Sequence, residues 1–137
     1  MRRCERYGRS LLNDLNRWCV GWIDWNMVLD EMGGPNHAGN YCSAPIIANT
    51  QTGDLDIQSS YYYIGHFARF IERGARRLLC ATSHDALQAA AFLNPDGKIA
   101  IVVLNLSDDR IAFQLKLSGA AAATESFPHS IATYIAT

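Results

Sequence analysis

Apolar residues near the start of the chain recur at helical spacing. Tyr7, Leu11, Leu12, Leu15 and Trp18 share one face across residues 3–17, with arginine, asparagine and aspartate between them. That pattern predicts an amphipathic helix. Residues 18–26 lose the period and become continuously apolar, which reads as a strand buried on both faces. From 27 to 56 turn formers dominate: Gly33, Gly34, Pro35, Asn36, Gly39, Asn40, Pro45 and Thr52-Gly53-Asp54. A loop that long inside a compact domain is usually functional. A second helix is expected over residues 59–73, with Tyr63, Phe67, Phe70 and Ile71 as its stripe and Gly74 as its C′ residue.

Beyond Gly74 the texture changes to strands. Residues 76–82, 86–93, 98–105, 110–117 and 130–136 alternate or run apolar. Asn94-Pro95-Asp96-Gly97 is a strong hairpin turn and Ser107-Asp108-Asp109 reads as a second. The run of alanines over 120–123 reads as loop. These segments predict a five-strand antiparallel unit, half of a sandwich. The fold class expected is therefore α/β plus all-β, with residues 1–74 and 75–137 as separate units. One strand cannot make a sheet alone, so the first unit is expected to be a piece of a larger domain. Its exposed edges predict poor solubility or self-association for the isolated chain.

The composition excludes several classes. Hydrophobic residues make up 49% of the 137 and the net charge is −1, so nothing favours nucleic acid or an anionic membrane as a partner. Clusters at Arg2, Arg3, Arg6, Arg9 and at Arg73, Arg76, Arg77 read as solvated helix faces. No run approaches the ~20 apolar residues of a membrane span. The N-terminus shows no signal-peptide core, and the compartment stays unread. Cys4, Cys19, Cys42 and Cys80 form no C-x-x-C pair and read as buried free thiols. With His37 and His66 they match no zinc spacing, so no metal is expected. Asn105-Leu106-Ser107 is a bare glycosylation sequon.

The chemistry concentrates between residues 21 and 40. Gly21-Trp22-Ile23-Asp24-Trp25-Asn26 is followed by Gly33-Gly34-Pro35-Asn36-His37 and Asn40. Flat indoles that stack on sugar faces, next to short amides that bond hydroxyls, suit a carbohydrate site. The Gly-Gly-Pro turn lacks the glycine spacing and the lysine of a phosphate loop, so it reads as a rigid turn with Gly34–Pro35 a candidate cis bond. Asp24 reads as a hydrogen-bonded structural carboxylate. Asp30 and Glu31 read as solvated loop acids, Glu5 as a helix-surface or helix-packing residue and His66 as a packing or hydrogen-bonding residue.

Read together, these motifs resemble glycoside hydrolase family 30, the glucosylceramidase type. The resemblance runs through Glu5-x-Tyr7, Asn13-Asp14-Leu15-x-x-Trp18, the hexapeptide above, Leu29-Asp30-Glu31-x-Gly33-Gly34-Pro35-Asn36 and Ala44-Pro45-Ile46-Ile47. It continues through Tyr61-Tyr62-Tyr63-x-Gly65-His66-Phe67-x-x-Phe70-Ile71, Gly74-Ala75-Arg76-Arg77, Asn94-Pro95-Asp96-Gly97 and Val102-Val103-Leu104-Asn105.

It implies the last βα unit of a (β/α)8 barrel followed by part of an antiparallel β-sandwich side domain. Residues 3–17 would be helix seven, 19–26 strand eight and 59–73 helix eight. A whole barrel takes ~250 residues. By the same resemblance, Trp25 floors the glucose subsite, Asn40 bonds the sugar and His37 stands at the pocket rim. Retaining glycosidases use two carboxylates about 5 Å apart, and by the resemblance both precede residue 1. No catalytic residue is expected in this chain, and no cofactor.

The expected function is thus a C-terminal fragment of a retaining β-glucosidase acting on glucosylceramide or a related β-glucoside, inactive alone. The alternatives are a non-catalytic carbohydrate-binding module, or an assembly module completing a barrel supplied by an upstream polypeptide. Few aromatics in the strand region support the former: Phe92, Phe113, Phe127 and Tyr134.

Overall fold

The structure is a computed structural model that describes residues 3–137. Arg2 of the first basic cluster lies outside the described residues. Helix α1 (Arg3–Asn16) presents Cys4, Glu5, Gly8, Leu11 and Leu12 inward and Arg6, Arg9 and Ser10 outward. The expected stripe is therefore correct for Leu11 and Leu12, which are buried. Trp18, however, leaves the helix in the left-handed region at φ 70° and is 75% exposed.

Residues 18–26 do not form the expected strand. Val20 and Ile23 are almost fully exposed, and no strand among the described residues pairs with the segment. A strand exists only through ladder bonds to neighbours, and an apolar run without them stays irregular. The stretch after it is more ordered than turn chemistry suggested. It carries β1 (Val28–Asp30), β2 (Ile46–Ala48) and β3 (Leu55–Ile57). Strand β2 lies between the other two, parallel to β1 and antiparallel to β3.

Helix α2 (Ser59–Ala68) is shorter than the stripe implied. Its end is set from outside. Asn94, buried in the β5–β6 turn described below, donates from Nδ2 to the Phe70 carbonyl at 2.9 Å and accepts the Glu72 N–H at 3.1 Å. Those bonds satisfy backbone groups that another helical turn would otherwise take up. Gly74 adopts φ 86° in the turn that follows rather than capping the helix.

The β-region holds six strands, not five. Strands β4 (Arg76–Leu78), β5 (Leu87–Leu93), β6 (Ile99–Asn105) and β9 (Ser130–Ala136) form one antiparallel sheet in the order β4-β5-β6-β9. Strands β7 (Ile111–Leu117) and β8 (Ala120–Ser126) make a separate hairpin. The alanine run therefore lies in a strand. Poor β-propensity hid it, whereas Ser118-Gly119, both at positive φ, gives the two-residue turn that creates it. Asn94-Pro95-Asp96-Gly97 closes β5 onto β6 as expected. Ser107-Asp108-Asp109 is not a hairpin turn, because β6 pairs with β9 and the chain crosses to the other sheet.

Strand β6 is buried from Ala100 to Asn105 because both its faces are covered. Ala90, Phe92, Val102 and Leu104 pack under the helices with Leu11, Leu12, Tyr63 and Phe67. The alternate residues Leu87, Ala91, Ile101 and Val103 pack with Ile111 on the hairpin side. The result is three layers: helices, sheet and hairpin. All four cysteines are free, but only Cys4 is buried, and Cys19 is exposed. No helix among the described residues is long and apolar enough to cross a membrane.

Candidate functional site

The loop between β1 and β2 is built on Asp30. Its Oδ1 accepts the N–H of Met32 at 2.9 Å and of Gly34 at 2.7 Å. Its own N–H donates to the Gly34 carbonyl at 2.7 Å, and its carbonyl accepts from Gly33. Asp30 is half-buried, not the solvated acid its position suggested. Gly33, at φ 84°, is where the loop folds onto itself: a Cβ there would meet the Cys42 carbonyl at 2.6 Å. The Cys42 N–H in turn donates to the Gly33 carbonyl at 3.3 Å. The Gly34–Pro35 peptide is cis.

Between those closing contacts, the loop projects His37 and Asn40 into solvent. No side-chain hydrogen bond of Asn40 occurs among the described residues; its backbone carbonyl accepts from Cys42 Sγ at 3.5 Å. The amide that the resemblance assigns to sugar binding is thus presented outward on a braced loop.

Trp25 precedes β1 and is 66% exposed. It lines a groove of about 630 Å³ between residues 22–27 and α2, with Trp22, Met27, Tyr61, Tyr62 and Phe70. Neither Asn40 nor His37 lines that groove. Trp22 is the anchored indole of the pair, half-buried and edge-on to Tyr7 with centroids 6.0 Å apart. The Tyr7 hydroxyl bonds Asp24, and burial first, then Asp24, raises its pKa. This fits the structural reading of Asp24, although Asp24 itself is exposed.

Each acid near this region has a partner. Glu31 accepts the N–H and hydroxyl of Thr50 at 2.9 and 2.7 Å, which holds its carboxyl below the usual range. Glu5 is buried against His129. It is a helix-packing residue joining α1 to the strand region. His66 on α2 bonds Thr133 Oγ1 through Nδ1 at 2.9 Å, the hydrogen-bonding form of the role expected of it, and burial lowers its pKa. Among the described residues no three His, Cys, Asp or Glu side chains cluster as a metal site.

Sequence reasoning did not single out Asp30 or Tyr7 as organisers. The signal for Asp30 was its place four residues before Gly34, where an aspartate can bridge a turn. Tyr7 gave none, since its partner is remote in sequence. Asn105 was read only as a sequon. Its side chain is buried and donates from Nδ2 to the carbonyls of Asp109 at 2.8 Å and Phe127 at 3.0 Å.

Comparison with known proteins gives a consistent picture. The glycosyl hydrolase family 30 TIM-barrel domain matches residues 1–71, and the family 30 β-sandwich domain matches residues 74–134. Mouse lysosomal acid glucosylceramidase is 36% identical over 110 residues, 80% of this chain and 21% of that protein. The crystal structure of SrfJ from Salmonella typhimurium superposes with a TM-score of 0.93 at 33% identity, covering 96% of this chain and 30% of that one. An endo-β1,6-glucanase structure gives 0.89 at 26% identity, covering 97% and 31%. The chain spans about a fifth of the length of the mouse relative it matches.

Proposed function

The chain belongs to glycosyl hydrolase family 30, and from that premise we propose that it is the C-terminal portion of a retaining β-glucosidase. Residues 1–74 would be the barrel piece and residues 75–137 the sandwich piece. The substrate would be glucosylceramide or a related β-glucoside. The observation that carries this is the exposed Trp25 indole in its aromatic-lined groove; the braced loop that presents Asn40 and His37 follows it in the chain. Similarity to a glucosylceramidase supports glucose as the sugar.

In this reading Trp25 offers its face to the apolar side of the glucose ring, and Asn40 bonds a hydroxyl. His37 lies at the rim. Retaining hydrolysis needs one carboxylic acid to protonate the leaving oxygen and a carboxylate about 5 Å away to attack the anomeric carbon. Asp24, Asp30, Glu31 and Glu5 are each engaged by a partner: Tyr7, the loop backbone, Thr50 and His129. That supports a chain without its own acid and nucleophile, inactive by itself and needing no cofactor.

A second reading, an assembly piece completing a barrel supplied by another polypeptide, is favoured by the unpaired apolar segment of Val20 and Ile23. Both readings are tested with an aryl β-glucoside. The chain alone should give no turnover. A polypeptide carrying the rest of the barrel, fused or added separately, should release glucose with retained anomeric configuration in proton NMR. Turnover by the chain alone, or an inverted product, would overturn the proposal. Activity on mixing, rather than only on fusion, selects the assembly reading.

A further inference from the structure

With no side-chain hydrogen bond among the described residues, the Asn40 amide takes its aim from the backbone of its loop. That backbone is tied down in two steps. The first is Asp30, the last residue of β1, which is held in register opposite Ala48 of β2. Its Oδ1 accepts the N–H groups of Met32 and Gly34, so Gly33 lies between two bonded positions. The second step is Gly33 itself, at φ 84°, whose carbonyl accepts the Cys42 N–H at 3.3 Å. A Cβ on Gly33 would meet the Cys42 carbonyl at 2.6 Å, the Cys42 nitrogen at 3.0 Å and Tyr41 Cβ at 3.2 Å. Gly33 thus packs directly on the residues that follow Asn40.

Binding groups must be held to within about 0.5 Å and 10–20°, and a strand holds a side chain more tightly than a loop does. Through the two steps, the fixed position of β1 reaches a side chain well inside the loop. The carboxylate is not the whole closure. Asp30 also donates its N–H to the Gly34 carbonyl at 2.7 Å, and its carbonyl accepts the Gly33 N–H at 3.0 Å. Those backbone bonds outlast loss of the carboxylate, so the loop stays closed without it. Met32 and Gly34 nevertheless lose their acceptor, and the Gly33 corner is freed to shift against Tyr41 and Cys42. Neighbouring Glu31 is engaged elsewhere, on Thr50 in the β2–β3 turn.

We propose that Asp30 is a positioning residue for sugar binding, acting through Gly33 and Cys42 to aim the Asn40 amide at a substrate hydroxyl. This rests on the reading of Asn40 as a sugar contact. Such a contact binds substrate and transition state alike, so losing its aim raises KM and leaves kcat nearly unchanged.

The test uses the catalytically complete polypeptide and an aryl β-glucoside. Asn40→Ala and Asp30→Ala should each raise KM about three- to tenfold, with kcat within about twofold. In the double variant the two factors should not multiply, because Asp30 acts through the amide. Asp30→Asn keeps a neutral acceptor and should recover most of the loss. Gly33→Ala breaks the second step and should reproduce the KM change, which keeps the test open if Asp30→Ala does not fold. Thr50→Val removes a hydrogen bond to Glu31 outside this path and should leave KM unchanged. An unchanged KM in Asn40→Ala would remove the sugar contact and the proposal with it. A raised KM in Asn40→Ala beside a normal one in Asp30→Ala and Gly33→Ala, or factors that multiply, would overturn the positioning role alone.

Discussion

Asp30 Oδ1 accepts the Gly34 N–H at 2.7 Å, and this one bond fixes the entry to the loop that carries His37 and Asn40. A second bond to the Met32 N–H shares the same oxygen. Hydrogen bonds to a charged acceptor contribute about 1.5–3 kcal/mol when sheltered, and this carboxylate is half-buried. Asp30→Ala should loosen the loop by about 1–2 kcal/mol. Amide exchange at Met32 and Gly34 should accelerate roughly tenfold or more, with little change in β6.

Trp25 has a different kind of role, because most of its ring is exposed. In the catalytically complete polypeptide, Trp25→Ala should lower kcat/KM for an aryl β-glucoside by about tenfold, near 1.4 kcal/mol. The melting temperature should barely move. Trp22→Ala should do the reverse, destabilising the protein by removing the contact on Tyr7. Steady-state kinetics and calorimetry on the two variants separate the roles.

Asn105 should tolerate almost nothing. Its Nδ2 serves two loop carbonyls, and its Oδ1 accepts the N–H and hydroxyl of Ser107 at 3.0 and 2.7 Å. Removing the amide breaks the hydrogen bonds of a fully buried side chain, each contributing about 0.5–1.5 kcal/mol. Asn105→Ala should therefore destabilise by about 2–5 kcal/mol in denaturant titration. The same burial keeps the sequon from acting as a glycan acceptor once the chain has folded, which mass spectrometry of protein from a glycosylating host can check.

Two helical glycines should respond with opposite signs. A Cβ on Gly8 would come within 2.9 Å of the buried Tyr63 ring, whose hydroxyl is tied to His129. Overpacking typically destabilises by about 1–3 kcal/mol, against a helix-propensity gain of about 1 kcal/mol. Gly8→Ala should be neutral to destabilising by about 2 kcal/mol. At Gly65 no atom lies within 4 Å of the added carbon, so Gly65→Ala should stabilise the 137-residue chain by about 0.5–1 kcal/mol. Denaturation midpoints of the two variants decide it.

His66 should shape the acid side of the stability profile. Burial beside Thr133 lowers its pKa, so its contribution is present above the unfolded value near 6.5. It is lost as pH falls through the lowered folded value. His66→Gln should therefore flatten the acid limb of the stability profile. An unchanged acid limb in melts from pH 7 to 4 would refute that assignment.

The sequence alone determined the locally encoded features. The periodicity of Leu11 and Leu12 marks the inward face of α1, and Asn94-Pro95-Asp96-Gly97 closes a hairpin through its own turn chemistry. The ordered motifs from Glu5 to Asn105 carry the family, because each needs only residue type and spacing. Tertiary structure decided whatever depends on remote partners. Residues 18–26 are apolar enough for a strand yet find none to pair with among the described residues, and the alanines of β8 become a strand only opposite β7. Helix α2 stops where Asn94 arrives from the β5–β6 turn. Asp108, Glu5 and His129, which look like unrelated charges in the chain, meet only because folding brings a helix and two turns together, with both carboxylates 2.7 Å from the ring.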